Sequence, residues 1–199
     1  MADTRRTRAY LLGTSFPDNT VGSISAQDMR DYVVSAMGSY ANINNNAGDG
    51  TPTTQSVASA TTVTLDWSTG SSGANGPDDT DGSSYGADAD YSNDRIRIYD
   101  KGIYKVQVAI SFKQDTGTNI NWLYVIGTQA DGGSIVENNY KVERYLEDSN
   151  DTASISINGL IDTTAHTNYT DLIIRLRHDN GSSRNILLQY AQMTCFRVG

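Results

Sequence analysis

The stretch Tyr104-Lys105-Val106-Gln107-Val108-Ala109-Ile110-Ser111-Phe112-Lys113 decides the fold class. Tyr104, Val106, Val108, Ile110 and Phe112 alternate with Lys105, Gln107, Ser111 and Lys113. Successive side chains of a strand point to opposite faces, so this pattern predicts a strand with one buried and one wet face. Just upstream, Arg95-Ile96-Arg97-Ile98-Tyr99 alternates in the same way, and Asp100-Lys101-Gly102 makes a turn between the two. Downstream, Gln114-Asp115-Thr116-Gly117 turns into a run that puts Ile120, Trp122, Tyr124 and Ile126 on one face. Further strand signals follow at 135–146, at Ile155 and Ile157, at Leu172, Ile174 and Leu176, and at Ile186, Leu188 and Tyr190, with Phe196 and Val198 continuing the period. Val63-Thr64-Leu65-Asp66-Trp67 supplies the first such pattern. About eight to ten strands without helical crossovers predict a mainly β protein, an antiparallel sandwich or barrel.

Composition agrees. A chain of 199 residues holds one sizeable core plus a short appendage. Just three of the 23 acidic residues are Glu, and Asp, Asn, Ser, Thr and Gly favour turns and caps over helix interiors. Twelve Tyr with many Thr, Ile and Val point to strands. The net charge of -8 disfavours a nucleic-acid-binding body, which needs a basic field. The first ten residues carry three Arg without an apolar stretch, unlike a secretory signal. No run of about 18 apolar residues exists to cross a membrane. The single cysteine, Cys195, excludes an intrachain disulfide framework and points to synthesis in a reducing compartment.

Residues 1–54 read as an anchoring arm and 55–199 as the β body. In the arm, Arg5, Arg6 and Arg8 precede Tyr10, Leu11, Leu12 and Phe16, too few apolar groups for a core. Ser25 and Asp28 resemble a capping box, and Ile24 and Met29 have the spacing of a hydrophobic staple. Met29, Tyr32, Val33, Ala36 and Met37 line one face of a short helix that Gly38 can end. A helix of about three turns does not stand free in water, so that face must dock on something. Residues 38–56, rich in Asn and Gly, read as a linker.

Two resemblances follow from particular residues. The segment 94–112, with Lys101-Gly102-Ile103-Tyr104 before an alternating run, resembles the jelly roll shared by complement globular heads and tumour-necrosis-factor ligands. Residues 170–198 resemble the last two strands of that fold, from Asp171-Leu172-Ile173-Ile174-Arg175-Leu176 to Phe196-Arg197-Val198. The arm is similar to N-terminal segments of bacteriophage structural proteins, in Thr14-Ser15-Phe16-Pro17-Asp18-Asn19-Thr20 and Gln27-Asp28-Met29-Arg30-Asp31. Together they imply a jelly-roll homotrimer on a virion, synthesised in the host cytoplasm, with the arm attached to the particle and the body projecting. There is no collagen stalk, which separates the chain from the secreted ligands.

Self-association also has an argument of its own. The last strand is apolar on both faces: Leu187, Ala191, Met193 and Cys195 oppose Ile186, Leu188, Tyr190 and Phe196. One face fills the sandwich, and the other is expected to meet a neighbouring copy. Leu123 and Val125, beside Trp122 and Tyr124, show the same feature. The expected partners are therefore further copies of the chain, plus a major capsid protein or other virion scaffold. That scaffold would be gripped by Arg5, Arg6, Arg8, Leu11, Leu12, Phe16, Met29, Tyr32, Val33 and Met37. The functional expectation is a capsid decoration or cement protein on the outer shell. The alternative is a tail-fibre or head-fibre tip that recognises a host glycan or protein.

Little in the sequence supports catalysis or a cofactor. His166 and His178 form no H-x-x-x-H pair, and neither a G-x-S-x-G elbow nor a Gly-Lys-Ser/Thr phosphate loop occurs. Cys195 falls in a strand expected to be packed, as an inert small hydrophobe. Asp78, Asp79 and Asp81, with Asp88, Asp90 and Asp94, allow either calcium ligation or solvated turns.

Overall fold

The computed structural model describes residues 38–46, 52–67, 86–149 and 151–198, together with Met29. The chain divides into two units, Met1–Gly38 and Ser39–Gly199. In the first, Met29 is helical and exposed. The other expected anchors, from Arg5 to Phe16 and from Tyr32 to Met37, lie outside the described residues, as do Asp78, Asp79 and Asp81.

Eleven strands occur among the described residues of the second unit: β1 (Tyr40–Asn46), β2 (Thr53–Val57), β3 (Val63–Thr64), β4 (Ala87–Asp90), β5 (Arg95–Ile98), β6 (Ile103–Gln114), β7 (Ile120–Ala130), β8 (Val136–Leu146), β9 (Ala153–Asp162), β10 (Thr170–His178) and β11 (Arg184–Arg197). They form two antiparallel sheets. The first runs β1-β11-β6-β9, with β2 also paired to β11; the second runs β4-β5-β10-β7-β8, with β3 also paired to β10. After β5 the chain crosses between sheets at every connection except the β7–β8 hairpin. This is an antiparallel jelly-roll sandwich.

The alternating run from Tyr104 to Phe112 lies in β6, an inner strand of the first sheet. Tyr104, Val106, Val108, Ile110 and Phe112 are each at most 2% exposed. The Phe112 ring meets Trp122 edge-on at 6.2 Å and Tyr124 at 5.1 Å, joining the two sheets through aromatic contacts. The Trp122 ring lies 4.9 Å from that of His178, tilted by 58°, and donates its indole N–H to buried Gln114 Oε1 at 3.3 Å. Gln114 in turn donates to the Gly117 carbonyl at 2.9 Å, so the turn into β7 is tied to the core.

Two expectations are corrected. Residues 38–56, read as linker, contribute β1 and most of β2 to the sandwich. Ala41, Ile43 and Asn45 are buried at alternate positions, and β1 pairs with β11 from Tyr40↔Phe196 to Asn46↔Tyr190. Asn-rich composition concealed this strand, because its partner lies far along the chain and rewards a period of two whatever the local propensity.

The second correction concerns β11. Its register against β6 shifts between Leu188 and Tyr190, leaving Gln189 as an extra residue in a β-bulge. One extra residue exchanges the two faces of a strand. Ile186 and Leu188 point inward before the bulge; Ala191, Met193 and Cys195 point inward after it, all at 0% exposure. The strand has a single apolar face with a step in it, not two.

Candidate interaction surface

The outer face of the first sheet forms a grid. Paired positions across β1, β11, β6 and β9 give one row of Tyr40, Phe196, Lys105 and Leu160, and a second of Asn42, Thr194, Gln107 and Asn158. The third row is Asn44, Gln192, Ala109 and Ser156; the fourth continues with Tyr190, Ser111 and Ser154. Lys105 is the one charged residue among them, although 19% of the whole chain is charged. Tyr40, Tyr190 and Leu160 are exposed at 47%, 36% and 55%.

Polar side chains on this face bond to one another. Asn42 Oδ1 accepts from Gln192 Nε2 at 3.1 Å and from Thr194 Oγ1 at 3.0 Å. The Tyr190 hydroxyl donates to Gln192 Oε1 at 2.6 Å, and Gln107 Nε2 donates to Asn158 Oδ1 at 3.2 Å. Ser111 Oγ donates to Gln189 Oε1 at 3.3 Å, which places the bulge in the same network. Lys105 Nζ lies 5.6 Å from the Phe196 ring centre. Groups already partnered within the face lose less when water is removed than isolated ones do. Low charge, exposed aromatics and lateral satisfaction are the properties of an interface core.

The outer face of the second sheet is the opposite in character. Its rows read Asp88, Arg97, Asp171 and Gln129; Thr64, Arg175, Val125 and Lys141; Arg177, Leu123 and Glu143. Asp171, at 0% exposure, accepts from Arg95 Nη1 at 2.9 Å and from Arg97 Nε at 2.8 Å and Nη2 at 3.1 Å. Arg95 also bridges Asp90 at 2.9 Å, while Arg97 lies 3.8 Å over the Tyr169 ring.

The residues expected at an oligomer interface are not brought together. Ala191, Met193 and Cys195 belong to the core of the chain's own sandwich. Leu187 faces outward on the first sheet beside Thr54 and Lys113, and Leu123 faces outward on the second. Val125, also on the second sheet, is 3% exposed. Tyr190 and Phe196, expected inside, stand outside because the bulge intervenes. The step at Gln189 and the unread strand β1 together hid the surface, and a single sequence contains no local signal for the step.

Groups weighed for chemistry have structural partners. His166 is buried, with Nδ1 2.8 Å from Thr170 Oγ1 and Nε2 3.3 Å from the Tyr99 carbonyl. His178 Nδ1 accepts from the Asn180 N–H, and its Nε2 lies 3.0 Å from the Val57 carbonyl. Burial pushes the Cys195 thiol up to about 12, so it is a packed hydrophobe and not a thiolate nucleophile. In the acidic run, burial acts to raise Asp90, but hydrogen bonds from Asn93 and Arg95 hold it below the ordinary carboxylate value. Asp94 Oδ1 accepts from the Trp67 N–H at 2.7 Å. Among the described residues, no three His, Cys, Asp or Glu side chains converge on a metal-ion position.

Asp131, at the β7–β8 turn, holds a neighbouring loop. Its oxygens accept from the N–H groups of Thr167 at 2.6 Å, Asn168 at 2.7 Å and Tyr169 at 3.1 Å, tying down the β9–β10 loop. These bonds, the one from Thr167 foremost, lower its pKa to about 2. A depressed carboxylate stabilises the fold above its unfolded pKa and loses that contribution as pH falls through the folded value. Amide exchange at 167–169 should therefore be slower in wild type than in Asp131→Asn at pH 5. The difference should vanish as pH approaches about 2. A difference that persists unchanged at acid pH would show that ionisation of Asp131 is not its cause.

No family model and no curated protein matches the chain. Among solved structures, the fold is similar to a structure of Eiger TNF from S. frugiperda, at 13% identity and a TM-score of 0.50, covering 81% of this chain and 93% of that one. Murine APRIL at pH 5.0 aligns at 12% identity and a TM-score of 0.49, over 81% of this chain and 99% of that one. At such identity the Eiger likeness shows the jelly-roll fold alone.

Proposed function

We propose that the chain is a non-enzymatic virion structural protein. It forms a homotrimer through the sparsely charged outer face of the first sheet, and residues 1–37 hold it on the capsid shell or another virion scaffold. The observation that supports this reading most is the grid from Tyr40 to Ser154, which carries one charge on an acidic protein whose other sheet face is densely charged. The jelly-roll resemblance supports a trimer, and the phage-arm resemblance supports attachment to a particle. Three arms on one trimer would multiply weak individual anchors by avidity.

Light scattering at micromolar concentration tests the assembly. Wild type is expected at three times the 21.6 kDa chain mass. Ala109→Asp is expected to remain folded, because Ala109 is exposed in the isolated chain, yet to dissociate. A desolvated, unpaired carboxylate in each copy carries a cost of several kcal/mol. A monomeric wild type would overturn the assembly. Co-sedimentation with particles stripped of the protein tests placement: decoration predicts rebinding and a shell more resistant to heat. Binding confined to tail ends, with an effect on host attachment instead, would select the receptor-binding reading.

A further inference from the structure

Asn180-Gly181 lies between β10 and β11, where Gly181 is exposed and nothing stands within 4 Å of the place a Cβ would take. The Asn180 N–H donates to His178 Nδ1 at 3.2 Å, and Asn180 Oδ1 accepts from Arg184 Nη2 at 3.1 Å. Arg184 has no carboxylate partner among the described residues; its Nη1 reaches Thr116 Oγ1 at 3.4 Å, and its buried Nε has no hydrogen-bond partner. A guanidinium is thus held against the oxygen that gains negative charge when the side-chain amide carbon is attacked. Among the described residues a second Asn-Gly, Asn158-Gly159, has a different setting. It sits within β9, where Gly159 is paired with Val106, and a Cβ there would lie 2.6 Å from the Tyr140 ring.

We infer that Asn180-Gly181 is a self-modifying site, at which the chain converts Asn180 to aspartate and isoaspartate with water as the co-reactant. The Gly181 main-chain nitrogen attacks Asn180 Cγ, an intramolecular step favoured by proximity and by the missing side chain. A C–N bond forms to close a five-membered imide. The Cγ–NH2 bond breaks, and the proton lost from Gly181 N leaves with the ammonia. Water then adds to either imide carbonyl, giving the aspartyl chain or the isoaspartyl chain with its extra backbone methylene. Arg184 stabilises the oxyanion of the first step and afterwards faces a carboxylate, a stronger, charge-assisted partner. Asn158 stays intact because the ladder bonds of β9 hold the Gly159 nitrogen away from the Asn158 side chain.

The test is peptide mapping by mass spectrometry of the full chain aged in mildly alkaline buffer, with aspartyl and isoaspartyl peptides separated. Conversion at Asn180 is expected to run at least about tenfold ahead of Asn158. In chain unfolded with urea, the two sites should convert at similar rates. Gly181→Ala, which the open space accommodates, should slow conversion about tenfold or more. Arg184→Gln should slow it by about three- to tenfold, and Arg184→Lys should recover part of that loss. Equal rates at the two sites in the folded chain would overturn the inference. An unchanged rate in Arg184→Gln would remove the guanidinium from it.

Discussion

Gly86→Val is expected to lower stability by about 3–4 kcal/mol, a fall in melting temperature of roughly 6–16 °C. Gly86 opens β4 at φ +71, a left-handed conformation that side chains disfavour. An added Cβ would stand 2.1 Å from Asp100 Oδ2 and 2.5 Å from Ser39 Oγ. Those two groups are joined by a 2.5 Å hydrogen bond, and Ser39 is fully buried. The Gly86 carbonyl also accepts from the Tyr99 and Asp100 N–H groups at 2.9 and 3.2 Å. Valine must therefore displace the Asp100 carboxylate, break its bond to a buried hydroxyl and strain the backbone together. Gly181→Ala is the control: with open space around it, it should change stability by no more than about 0.5 kcal/mol. Thermal melting followed by circular dichroism decides the matter, and a Gly86→Val protein melting with wild type would refute the packing argument.

Removal of the Asp171 carboxylate is expected to cost a similar amount. Asp171→Ala leaves Arg95 and Arg97, whose side chains are only 18% and 21% exposed, without their shared partner. Breaking a buried ion pair from one side typically costs about 3–5 kcal/mol; partial exposure of the arginines and the remaining Asp90 bridge place this case near the lower end. The loss should change little with salt, because screening acts weakly on covered charges. Replacing all three groups by apolar residues, as Asp171→Leu, Arg95→Met and Arg97→Leu, should recover much of it, since desolvated charges and not lost packing cause the damage. If the triple variant is less stable than Asp171→Ala alone, the arginines contribute through other contacts, with the Tyr169 ring the first to examine.

Much of the sandwich was legible from residue order. The period of two from Tyr104 to Phe112, and its echoes at Ile120–Ala130 and Thr170–His178, reports which side of each strand is dry, and that is a local property of the chain. The absence of helix-forming periodicity between the body's strands excluded parallel crossovers. Fold class and the burial of Tyr104, Phe112, Trp122 and Tyr124 follow from these facts without coordinates.

The candidate surface was not legible in the same way. Local alternation holds until an extra residue interrupts it, and nothing in Leu188-Gln189-Tyr190 announces that Gln189 has no register position opposite it on β6. That one position moves Ala191, Met193 and Cys195 into the core and Tyr190 and Phe196 out of it. Strand β1 was missed for a related reason: Asn-rich residues form a strand there because β11, some 150 positions later, offers an edge. The sequence by itself determined the fold class and the dry face of strands such as Tyr104–Phe112. Only the tertiary structure decided which strands are neighbours, where the register steps, and therefore which side chains share a face. Those outcomes depend on hydrogen bonds between residues distant in the chain, and the free energy that selects among registers is spread over whole ladders and not held in any one segment.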